Sequence, residues 1–93
     1  MKQLIRVSNI KMKEINKIMR YLDEQGSSWY GSAPVNPYGY DDLYFIEFKP
    51  SFYLLRMFRE DLKNKLGIDA KPLICVYDNY GELVEQRALG VEI

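Results

Sequence analysis

Apolar residues recur along this chain with two different periods, and the switches between them mark out its elements. Residues 4–9, LIRVSN, alternate and are partly β-branched, which predicts a first strand with Ile5 and Val7 on one face and Leu4 and Arg6 on the other. Over residues 11–25, KMKEINKIMRYLDEQ, the spacing changes: Met12, Ile15, Ile18, Met19 and Leu22 form the stripe of an amphipathic helix. Asn9 or Ser8 is the expected cap of its start, and Gly26 stands where a C-terminal glycine belongs. Residues 28–33, SWYGSA, read as a short second strand weakened by Gly31. PVNPYGYDD reads as its connection to a strong third strand, DLYFIEF, residues 42–48. Pro50 and Ser51 punctuate the chain before a second helix, SFYLLRMFREDLKNKLG, with Leu54, Leu55, Phe58, Leu62 and Leu66 as its stripe and Gly67 as its stop. PLICVYD, residues 72–78, is a further strand, after which DNYG can turn the chain into ELVEQRAL as a hairpin partner.

The order β-α-β-β-α-β plus one strand is that of an α+β domain spanning residues 1–93. Both helices pack most economically on one face of an antiparallel sheet through right-handed crossovers, the ferredoxin-like two-layer sandwich, here with an extra C-terminal β-strand. The other face is then left open. Strand alternation puts Arg6, Phe45 and Glu47 on it, joined by either Leu73, Cys75 and Tyr77 or Ile74 and Val76. The C-terminal strand and the tail GVEI could cover part of that face.

Composition narrows the function classes. An apolar fraction of 47% with 28% charged residues is that of an ordinary globular protein. No apolar run approaches the roughly 20 residues needed to span a bilayer, and MKQLIRVSN lacks the apolar block of a signal peptide, so a cytoplasmic protein is expected. The one cysteine, Cys75, has no partner for an internal disulfide and reads as a small hydrophobe in a buried strand. The net charge of zero conceals segments of alternating sign: +5 over residues 1–20, −5 over 21–48, +3 over 49–68 and −3 over 69–93. Two basic helices on one side would make that side electropositive.

The chain has no histidine, which removes histidine-activated nucleophiles, histidine general bases and most zinc sites. Gly-rich phosphate loops are missing, Asp41 and Asp42 read as solvated turn acids, and Asp78, Asn79 and Glu82 do not make a calcium loop. A non-enzymatic module without metal or cofactor is expected.

Aromatic residues are concentrated where turns are expected. SSWYGSAPVNPYGYDD, residues 27–42, holds Trp29, Tyr30, Tyr38 and Tyr40. These rings either fold back over the sheet edge as core or form a contact loop. On the second helix Tyr53 and Met57 lie off the stripe, with Phe52 nearby: a contact patch, or further core.

Two segments resemble the RNA-recognition motif. IRVSNI, residues 5–10, is similar to its first-strand hexamer, and YFIEF, residues 44–48, to the end of its third-strand octamer. The resemblance implies a base-stacking role for Phe45, with Ile46 and Phe48 matching neighbouring positions. Arg6 and Leu43 stand at the other ring positions, and Asp41 and Asp42 where a basic residue and a glycine belong. In general character the chain also resembles small accessory and inhibitor proteins of bacterial mobile elements such as phages.

The expected partner is therefore another protein or a second copy, met through Trp29, Tyr30, Tyr38, Tyr40, Tyr53 and Met57, since a balanced charge suits a protein better than a polyanion. The alternative is single-stranded nucleic acid or a nucleotide on the open face, through Arg6, Phe45 and Tyr77.

Overall fold

In a computed structural model, which describes residues 1–39 and 42–90, the chain forms β1 (Lys2–Ile10), α1 (Met12–Glu24), β2 (Trp29–Pro34), β3 (Tyr44–Phe48), α2 (Phe52–Asn64), β4 (Leu73–Tyr77) and β5 (Leu83–Ala88). The strands make one antiparallel sheet in the order β2-β3-β1-β4-β5. Tyr40, Asp41 and the tail after Gly90 lie outside the described residues, and with them the expected Tyr40 contact and the cover by GVEI.

Register assigns the faces. Ile5 lies opposite Phe48 and Ile74, and Val7 opposite Ile46. These five are buried together with Ile15, Ile18 and Leu22 of α1 and Leu54, Phe58 and Leu62 of α2, so both helices cover the same face. The rings of Phe48 and Phe58 meet edge to face at 4.9 Å between centroids, which joins sheet to helix at the centre. The exposed positions of the helices carry Lys13, Lys17, Arg20, Arg56, Arg59 and Lys63 against Asp23, Glu24 and Glu60, so the helix side is the basic side.

Several local expectations need correction. Neither Ser8 nor Asn9 caps α1; Lys11 holds that position, and Glu14 reaches back to accept its N–H at 2.9 Å. Asn9 instead adopts φ 61° where β1 changes register against β3 between Val7 and Ile10. Asparagine tolerates that left-handed conformation, and the extra residue lets Val7 and Ile10, three apart, both face the core. Met12, the first residue of α1, is 44% exposed rather than part of the stripe, and Tyr21 is buried instead. Gly26 and Gly67 end the helices at φ 70° and 65° as expected, but α2 stops at Asn64, so Leu66 packs from the following loop.

Candidate functional site

Strand direction divides the expected contact residues between two ends of the sheet. Trp29 opens β2 opposite Phe48, the last residue of β3, and α2 begins four residues later with Phe52 and Tyr53. Lys2 opens β1 opposite Tyr77 at the end of β4, where the Asp78–Gly81 turn follows. Trp29, Tyr30, Phe52, Tyr53, Tyr77 and Tyr80 therefore share one end. The β2–β3 loop with Tyr38 is at the other. The expected contact residues of the hairpin are thereby split, Trp29 and Tyr30 lying at the end where α2 begins and Tyr38 away from it.

The shared end is where large rings stand in solvent: Trp29 is 43% exposed, Tyr30 59%, Phe52 75% and Tyr80 91%. Cations lie over two of them. Lys2 Nζ is 4.2 Å from the Tyr30 ring centroid and donates to its hydroxyl, and the Arg56 guanidinium is 5.7 Å from the Phe52 centroid. Trp29 and Tyr30 are held there by an irregularity: β2 and β3 slip register between Trp29 and Gly31, leaving Tyr30 as the extra residue. Tyr80 is presented by a turn in which the Asp78 carboxylate accepts the N–H groups of Tyr80 and Glu82, both at 2.9 Å. From the sequence DNYG is expected only as a turn, and Tyr80 is not among the expected contact residues. The signal was there, since a tyrosine inside a four-residue hairpin turn has no core to reach.

Tyr38 is presented separately. Asn36 Oδ1 accepts the Tyr38 N–H at 3.0 Å, and Gly39 N–H closes the turn on the Asn36 carbonyl at 3.0 Å. A Cβ at Gly39 would come within 2.7 Å of the Asn36 side chain, so the turn needs glycine there. Tyr38 is left 90% exposed, which answers for this ring whether it folds back as core.

Tyr53 and Met57 are less free than the periodicity suggested. Met57 is half-buried. The Tyr53 hydroxyl donates to Asp61 at 3.1 Å, and the Tyr21 hydroxyl, reaching from α1, donates to the same oxygen at 2.5 Å. Asp61 is 5% exposed, the one buried charged side chain among the described residues. Burial, and then the hydrogen bond to the Asp61 carboxylate, push the Tyr21 hydroxyl well above its ordinary 10.0. This helix–helix cluster was missed from sequence, although Asp61 falls seven residues after Leu54, on the stripe itself.

On the face away from the helices, Leu73, Cys75 and Tyr77 are the β4 members, because their β1 partners are Arg6, Leu4 and Lys2. Leu4 and Cys75 are buried although they lie outside the main core, and Gln86 Nε2 donates to the Cys75 sulfur at 3.4 Å. The alternative trio of Arg6, Phe45 and Tyr77 does converge here. Arg6 sits 3.9 Å over the Phe45 centroid, pairs with Glu47 at 3.5 Å and donates to Ser8 at 3.2 Å. Tyr77 donates to the same Glu47 oxygen at 2.5 Å, and burial followed by that bond pushes its hydroxyl up to about 12. The arginine is thus occupied by an acid, and the ring face a base would stack on is already covered.

The principal clefts are lined by none of these exposed rings and not by Phe45. One of about 360 Å³ is lined by Arg59, Lys63, Asp69, Lys71 and Leu89 at the end opposite the exposed rings. Among the described residues no three potential metal ligands gather, and no helix is long and apolar enough to cross a membrane. No protein-family model matches this chain, and neither a curated protein nor a solved structure does.

Proposed function

We propose that this chain is a small, non-enzymatic binding module of the cytoplasm, a regulator or inhibitor that acts by contact with another protein. Its contact surface is the sheet end bearing Trp29, Tyr30, Phe52 and Tyr80, with the half-exposed Tyr53 beside them and Tyr38 as a separate contact. The carrying observation is that these large rings stand in solvent at one end, two of them under a cation. In a small domain each exposed ring forgoes stabilising burial, whereas tyrosine, tryptophan and arginine are the residues that anchor protein interfaces. The frame is read as ferredoxin-like, with β5 added at the edge. The strand order β2-β3-β1-β4 and two helices on one face support that reading.

The double variant Tyr30→Ala, Phe52→Ala tests the surface. Its melting temperature is expected within about 3 °C of the parent's, since changes at exposed positions cost little. Proteins captured from the native host by the parent are expected to be lost. Capture of the same proteins by the folded variant would move the contact elsewhere.

The nucleic-acid alternative keeps one supporting observation, the gathering of Arg6, Phe45 and Tyr77 on one face, and one against it, Glu47 in their midst. Labelled single-stranded RNA and DNA titrated at two salt concentrations are expected to show no binding that depends on Phe45. Affinity that falls steeply with salt and disappears in Phe45→Ala would establish the alternative in place of protein contact.

A further inference from the structure

The two outer strands of the sheet treat a potential neighbour differently. β2 is blunted, because Pro34 removes a backbone donor and the extra residue at Tyr30 bends the edge. β5 contains neither proline nor glycine, and among the described residues no strand pairs with its outer edge. Leu89 N–H donates to the Pro72 carbonyl at 3.0 Å, continuing the register in which Leu73 faces Ala88 and Ile74 faces Arg87. Backbone groups alternate sides along a strand. Arg87 and Glu85 therefore direct theirs to β4, while Gln86 and Ala88 hold N–H and C=O outward, a template for another strand.

We propose that β5 pairs antiparallel with β5 of a second copy of this chain, so that two sheets continue as one across a two-fold axis. Charge selects both occupant and register. Centring the pair on residue 85 sets Glu85 against Glu85 of the second copy, and centring it on residue 87 sets Arg87 against Arg87. Centring it on Gln86 places outward groups opposite outward groups and sets each Glu85 against the other copy's Arg87. Within one chain Arg87 already donates to Glu85 on the face shared with Ile74 and Val76, so pairing joins two such ion pairs into a ladder of four charges. An edge guarded by like charges would repel its own copy; this one complements it. The exposed side chains of Leu83 and Val84, 49% and 54% accessible, lie at the ends of the paired segment.

A contact this narrow belongs to the weak class of interfaces, so sedimentation equilibrium of the full chain from about 10 μM to 1 mM is the test. A monomer–dimer equilibrium is expected. Glu85→Arg and Arg87→Glu, each setting like charges across the axis, are each expected to raise the dissociation constant about tenfold. The double swap E85R with R87E is expected to restore it, with circular-dichroism melts confirming that every variant is folded. Gln86→Cys, in a Cys75→Ala background because Cys75 is its cross-strand neighbour, is expected to give a disulfide-linked dimer. A monomer at every concentration would overturn the proposal, as would a double swap that stays monomeric. A dimer untouched by Glu85→Arg but lost in Tyr30→Ala, Phe52→Ala would overturn it too, placing self-contact at the aromatic end.

Discussion

Replacing Asp61 with alanine is expected to lower the unfolding free energy by about 3 kcal/mol, seen as a fall of more than about 10 °C in melting temperature. The carboxylate is 5% exposed and accepts from Tyr21 and Tyr53, one from the opposite helix and one from its own. Lys65, 3.8 Å away, is mostly in solvent and adds little. Removing the acceptor leaves the Tyr21 hydroxyl, on a side chain only 4% exposed, with the neighbouring Tyr53 hydroxyl in place of a carboxylate, and burial makes that loss costly. The same substitution in a Tyr21→Phe background is therefore expected to cost distinctly less, and a double-mutant cycle isolates the coupling. Additive costs would show that the two groups do not act together. The pH dependence follows in sign. Tyr21 has a folded-state value raised above 10.0, so the stability it contributes is complete below pH 10 and declines as pH rises above it, by about 1.4 kcal/mol per unit. Tyr21→Phe is expected to flatten that alkaline decline.

Phe58→Ala is expected to cost about 4 kcal/mol in urea melts. Its ring is fully buried, lies 4.9 Å from Phe48 on the sheet and 5.9 Å from Tyr21 on α1, and so connects all three elements that enclose the core. A domain of 93 residues has about 5 to 14 kcal/mol of stability in total, so this one truncation removes a large share of it. Phe58→Leu, which keeps most of the volume, is expected to cost under half as much. Near-equality of the two would mean that the aromatic contacts, rather than the filled space, dominate. The contrast with Tyr30→Ala, Phe52→Ala, expected to be almost neutral, separates rings that build the fold from rings that do not.

The periodic parts of this chain were legible in advance. Leu54, Phe58 and Leu62 repeat with the helical period and are buried, and LIRVSN alternates and is a strand, because burial of one face is what imposes a period. Position-specific features were not. Asn9, like Ser8, suits a helix cap by its side chain, but strand pairing places it in a bulge, a property of β3 as much as of β1. Trp29 and Tyr38 sit nine residues apart in one aromatic segment, and the sequence leaves open whether their rings are core or contact. Their separation depends on β2 running the length of the sheet between them, which only register reveals. Asp61 was readable as an acid on an apolar stripe, yet its partner Tyr21 comes from 40 residues away. Arg6 and Phe45 were correctly placed on one face, but periodicity could not show that they stack on each other, with Glu47 engaging the arginine.

If the exposed rings are a contact surface, a partner must cover them. The chain has a single tryptophan, Trp29, and it stands within that surface. Collisional quenching of its fluorescence, measured on the free protein and again on the complex with a captured partner, reads the claim directly. Ready quenching is expected when free and strong protection in the complex. Quenching that is equal in both states would contradict the claim.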